Sequence, residues 1–183
     1  MKEGGVYGSS SSWQFVLMSN EEQPAEAGRD GLNSVRIVCH GRCAPALQLG
    51  LDPDLRPAGA IQQLQHLLNR NAFWGQGRSL SDLRRMVTHS AVCVTAWRGR
   101  QLIGFGRATS DSIFRGTIWD VVVDSEEIGQ GIGKTIVATL LASGALLTCE
   151  RVYLMTTNSA DFYKKLGFEK NSSQILMIKT KSG

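Results

Sequence analysis

The sequence predicts an α/β fold built on a mixed β-sheet, and three observations carry that prediction. Apolar and amphipathic runs follow in the order strands, two helices, three strands, helix, strand, helix, strand. Two of the middle runs, Ala91–Trp97 and Leu102–Thr109, are joined by the turn Arg98–Arg100 and read as a hairpin. A third strand, Gly116–Val123, stops at Asp124 and leads through a glycine turn straight into a helix.

Taken in order, residues 1–34 combine Gly4, Gly5 and Ser9 to Ser12 with Glu21, Glu22, Glu26 and Asp30. With few apolar anchors they are expected to form a poorly ordered segment ahead of one domain at 35–183. Val35–Val38 and Leu47–Leu51 read as short strands, with Pro53 and Pro57 in the turn that follows. Ile61–Leu68 places Ile61, Leu64, Leu67 and Leu68 on one helical face. Ser79 caps a second helix carrying Leu80, Leu83, Met86 and Val87. Between them, Phe73 and Trp74 are either a core wedge or part of a substrate wall. Thr135–Cys149 continues the helix after the glycine turn. Val152–Thr156 is the next strand, Ser159–Leu166 a last helix stopped by Gly167, and Gln174–Lys179 a strand closing the sheet.

Composition narrows the class. Apolar residues make up 42% and charged residues 20%, as in ordinary soluble domains. The net charge of +4 suits a holder of a polyanion but is too small to argue for nucleic acid. The longest uncharged stretch, Thr135–Cys149, is too short to span a bilayer. No apolar signal core is present and acids punctuate the first residues, so a cytoplasmic protein is expected. Cys39-His40-x-x-Cys43 invites a zinc reading, but Cys93 and Cys149 stand apart and supply no second ligand pair, so no metal is expected. His66 and His89 have no partner pattern.

The chemistry centres on Gly129, Gly131 and Gly133, at alternate positions before a helix. Without Cβ atoms the backbone N–H groups can approach an anion, and the helix start adds unpaired N–H groups and the positive end of its dipole. The turn therefore reads as a pyrophosphate seat. Ile128–Thr135 misses the P-loop pattern at its first glycine, and too little chain follows for a nucleotide hydrolase. The G-x-G-x-G spacing differs from the dinucleotide fingerprint. A ligand-free glycine connection is the remaining alternative.

Ile128–Gly133 resembles the [QR]-x-x-G-x-[GA] signature of the GNAT N-acetyltransferases, departing only at Ile128. Phe162-Tyr163 followed by Gly167-Phe168 resembles that family's later Tyr and Gly-Phe. Arg107–Asp111 and Thr117–Asp124 are similar to the cyanobacterial and plastid branch, which includes chloroplast serotonin and protein N-acetyltransferases. The likeness runs over about residues 90–170.

The resemblance implies a mixed, mostly antiparallel sheet of six to seven strands with about four helices, acetyl-CoA as cofactor and coenzyme A as product. Val121, Val122 and Val123 would pair with the pantetheine and supply a main-chain donor to the oxyanion. Gly129, Gln130, Gly131, Ile132, Gly133 and Lys134 would hold the pyrophosphate. Asp120 is the expected base, with pairing to Arg107 the structural alternative, and Tyr163 is the expected acid for the departing thiolate. Thr156 stands where relatives carry Asn or Asp, and Asn158 is close enough to substitute toward the cofactor. Trp119, Thr156 and Phe162 are expected on the acceptor side.

The expected partner is a primary amine, either an arylalkylamine such as serotonin or a protein lysine or N-terminus, with no nucleic acid or membrane. Monomer and homodimer both fit. A non-catalytic acyl-CoA-binding module of the same fold is the alternative function.

Overall fold

The computed structural model describes residues 34–180. The expected disordered segment lies outside that range except for Ser34. Five strands form one sheet in sequential order: β1 (Val35–His40), β2 (Val92–Arg98), β3 (Gln101–Ser110), β4 (Arg115–Val123) and β5 (Arg151–Tyr153). The first four pair antiparallel, and β5 is parallel to β4. The helices are α1 (Pro45–Gln48), α2 (Ala60–Asn71), α3 (Leu80–Thr88), α4 (Ile132–Ala142) and α5 (Ala160–Lys164), with 3₁₀ turns at Phe73–Gly75 and Ser125–Glu127.

Alternation along β2 divides the core. Cys93 and Trp97 join Phe105, Val122 and the apolar faces of α1, α2 and α3. Val92, Val94 and Ala96 join Ile103, Ala108 and the inner face of α4. The period of two sends successive side chains to opposite faces, so each helical layer finds an apolar floor. The α4 floor is made of small residues. A Cβ on Gly106 would lie 2.7 Å from Ile136, and one on Gly104 2.9 Å, so these two glycines let the helix sit close to the sheet.

The hairpin, the Ser79 cap and the Gly167 stop are as expected. Ser79 Oγ accepts from the Asp82 N–H, and Gly167 has φ 87°.

Three expectations are corrected. Among the described residues the sheet has five strands, not six to seven. Leu47–Leu51 is not a strand, because Pro45 opens the short helix α1 and Gly50 at φ 74° ends it, leaving only a bridge from Leu51 to Pro57. Gln174–Lys179 does not join the sheet either. Its neighbour would be β5, which is only three residues long and offers little edge to pair with. Ile175 and Met177 are each 89% exposed.

Candidate active site between two diverging strands

β4 and β5 pair only from Arg115↔Arg151 to Thr117↔Tyr153. Beyond that point they separate, and no other described strand covers this edge of β4. A cavity of about 570 Å³ opens in the gap, lined by Ile118–Val121 on one side and Leu154–Ser159 with Tyr163 on the other. Phe73, Trp74, Leu176 and Ile178 complete its walls.

A β-bulge shapes the first wall. Arg107 opposes Trp119 while Phe105 opposes Val122, so β4 carries one more residue than β3 here. Asp120 sits in the bulge at φ 54°, a conformation uncommon for a residue with a side chain. Such a bulge removes its extra residue from the ladder and re-aims the side chain. The Asp120 carboxylate is only 8% exposed and held by two guanidiniums: Arg107 Nε donates to Oδ2 at 2.5 Å and Arg78 reaches Oδ1 at 3.3 Å. Arg107 also lies over Trp119, and Arg78 over Trp74. Of the alternatives left open in the sequence, the Arg107 pair therefore exists, with Asp120 on the cavity wall.

Across the gap, Tyr163 packs edge-on against Phe162 and Phe168, at 4.9 and 5.9 Å between centroids. Burial pushes its phenol above the ordinary pKa, so it stays a neutral O–H donor. Thr156 Oγ1 accepts from the Ser159 N–H, fixing the turn into α5, and Asn158 lies on the same wall.

The glycine turn lies at the start of α4. Gly129 and Gly131 have φ 91° and 80°, and the space where their Cβ atoms would project is open. No side chain caps this helix start. Its first N–H groups therefore face outward to an anion in the field of the helix dipole. Gly133 stands 3.5 Å, measured from an ideal Cβ, from the Phe162 ring, which ties the turn to the Tyr163 wall.

The expected residues divide as follows. Asp120, Trp119, Val121, Thr156, Asn158 and Tyr163 meet at the cavity. Val122 is buried on the α1–α3 side, and Val123 lies 3.6 Å from a Cβ built on Gly133. Ile132 is a core residue, so only its backbone can face a ligand. Lys134 is exposed in the first turn of α4. Phe162 departs from expectation: one position before Tyr163 on a helix, it turns to α4 and away from the cavity. Arg78 and Arg98 were not expected. Arg98 donates to Glu127 at 2.8 and 2.7 Å and to Gln130 at 3.0 Å beside the glycine turn. No local pattern marks either arginine, because each finds its partner far along the chain.

Residues 61–168 match the model of the acetyltransferase (GNAT) family. The chain belongs to the GNAT acetyltransferase family. Members of this fold family use acetyl-CoA as co-substrate, and the uncapped, glycine-lined helix start has the chemistry to receive its pyrophosphate. The GNAT domain is 43% identical over 77 residues to GCN5-related N-acetyltransferase 2, chloroplastic, of Arabidopsis thaliana, covering 42% of this chain and 30% of that protein. It is 40% identical over 99 residues to the uncharacterized N-acetyltransferase ycf52 of Pyropia yezoensis, covering 51% of this chain and 57% of that one. The matches thus span only part of these relatives. A solved GNAT acetyltransferase from Streptococcus pneumoniae shares the fold at a TM-score of 0.59 and 18% identity, covering 81% of this chain and 100% of that chain. Among the described residues, no helix is long and apolar enough to cross a membrane.

Proposed function

We propose that the protein transfers the acetyl group of acetyl-CoA to a primary amine by direct attack, with both substrates bound together. The observation that carries this is the gap between β4 and β5, whose cavity holds Asp120 and Tyr163, beside an uncapped glycine turn tied to the Tyr163 wall through Gly133 and Phe162. The bound thioester supplies an activated acetyl carbonyl. Gly129–Lys134 hold the pyrophosphate through main-chain N–H groups. The open edge of β4 at Val121–Val123 pairs with the pantetheine amides and donates to the carbonyl oxygen as it gains charge. Asn158 contacts the cofactor from the opposite wall.

An amine with a pKa of about 10.4 arrives mostly protonated at neutral pH, so a proton must leave before attack. Asp120 takes it through the lone pairs its arginines leave free. Tyr163 returns a proton to the thiolate.

The acceptor is an amine with an aromatic body. Phe73, Trp74 and Trp119 give the cavity flat apolar walls, and Asp120, already paired, is the one charged side chain among its lining residues. A protein lysine is the second reading, favoured by a Glycine max relative named histone acetyltransferase TAP1, 39% identical over 77 residues. Cytoplasmic residence remains the proposal from sequence, with the plastid as the alternative suggested by relatives' names; cell fractionation separates them.

Two measurements test the reading. Acetyl-CoA at ~100 times its dissociation constant should stabilise the fold by about 2.7 kcal/mol, whereas ATP and NAD should not. Tyr163→Phe should lower kcat about 100-fold while keeping coenzyme A affinity. A protein that binds acetyl-CoA yet acetylates neither tryptamine, serotonin nor lysine peptides would be the non-catalytic module instead.

A further inference from the structure

The glycine turn is exposed and rich in residues with large backbone freedom, so something must hold its shape before a ligand arrives. Three side chains do so. Arg98, at the end of β2, presents Nε and Nη2 to the two carboxylate oxygens of Glu127 at 2.8 and 2.7 Å. Gln130 Nε2 donates to Glu127 Oε2 at 2.7 Å, and Gln130 Oε1 accepts from Arg98 Nη2 at 3.0 Å. The three close a ring whose chain segment, Glu127–Gln130, contains Ile128 and Gly129. Trp97, the residue before Arg98, is buried in the core, so the ring is moored to the sheet.

Charge points the same way. Glu126 and Glu127 lie just ahead of a turn suited to a polyanion, and unpaired they would repel it. Each is matched by an arginine from elsewhere, Glu126 by Arg70 and Glu127 by Arg98. The Arg98 fork holds the Glu127 carboxyl below its usual range. Meanwhile Ile128, where the signature has Gln or Arg, is 73% exposed.

We infer that Arg98 is a positioning residue for coenzyme A. Through Glu127 and Gln130 it fixes the glycine turn in the shape that receives the pyrophosphate, the task for which position 128 lacks a polar side chain. This rests on the proposed use of acetyl-CoA.

The test is calorimetric titration of coenzyme A into the full chain and its variants, with the melting temperature of each ligand-free protein alongside. Arg98→Met should weaken binding about tenfold with little change in melting. Arg98→Lys keeps the charge but loses the fork and should weaken it nearly as much. Glu127→Gln decides between shape and charge. It removes a negative charge beside a polyanion, yet should weaken binding about threefold because the ring opens. Wild-type affinity in Arg98→Lys, or tighter binding in Glu127→Gln, overturns the inference. Should Arg98→Met fail to fold, Gln130→Ala, changed only at an exposed position, should still weaken binding about threefold, and unchanged affinity there counts against the ring. A wild-type protein that does not bind coenzyme A defeats the proposed function itself. Wild-type binding with an unaffected Arg98→Met defeats only the role of Arg98.

Discussion

The two faces of the sheet are built by different means. On one face α4 lies directly over Gly104 and Gly106, and its start is the glycine turn. On the other, α2 and α3 pack over Trp97 and Phe105, and the residues they send to the cavity, Phe73 and Trp74, sit on a short 3₁₀ turn. Phe73 is 71% exposed. The α4 face offers main-chain groups fixed by close helix packing. The opposite face offers side chains on connecting segments. Main-chain recognition tolerates sequence change, whereas a wall of side chains is remade by each substitution. This arrangement suits a constant cofactor on one face and a variable acceptor toward the other.

Asp120, clamped from the α3 side yet seated in the strand both faces share, gives the largest expected effect on that comparison. Asp120→Asn should lower kcat about 100-fold while leaving coenzyme A affinity unchanged. A fall in stability with kcat unchanged would mean that the carboxylate only holds Arg78 and Arg107.

Acid should weaken the α1–α3 side selectively. His40 is buried, shares a hydrogen bond with Thr95 Oγ1, and burial lowers its pKa from 6.5 to about 4. At pH 7 the imidazole is neutral in folded and unfolded chains. Below pH 6.5 the unfolded chain binds a proton that the folded one refuses, so stability drops as pH falls toward 4, by on the order of 3 kcal/mol. Denaturant midpoints at pH 7, 5.5 and 4.5 should show this slope, and His40→Gln should flatten it.

Closing the gap under α4 tests the other side. Gly106→Val should destabilise by about 2 kcal/mol through overpacking against Ile136, read by thermal melting. Equal stability would show that α4 is free to shift outward.

The smallest effect belongs to the rim. Phe73→Ala should raise KM for an aromatic amine about fivefold and leave coenzyme A affinity unchanged. A change in coenzyme A affinity would erase the division between the faces.

What the sequence revealed follows the same division. The turn at Gly129, Gly131 and Gly133 ahead of a helix, and Tyr163 on a short helix stopped by Gly167, were legible because their spacing is local. The bulge at Asp120 was not, since an extra residue in β4 is visible only against β3. Arg98 with Glu127, and His40 with Thr95, were hidden because the partners are distant in sequence. The segment at Gln174–Lys179 carries a strand-like apolar run, yet pairing requires an edge, and β5 ends at Tyr153 where the cavity begins. The short strand that opens the site is also the reason the last strand was misjudged.

The parallel pairing of β5 has a consequence for how the molecule is made. β2, β3 and β4 are joined by tight turns and need only neighbouring chain to pair, whereas β5 must wait for α4 to be laid across the sheet. During synthesis the antiparallel part, with the α1–α3 layer, can assemble before Arg151 has left the ribosome. The gap between β4 and β5, and with it Tyr163, takes form last, so a chain stalled after β4 would carry the α1–α3 layer but leave the other sheet face bare and the Tyr163 wall unbuilt.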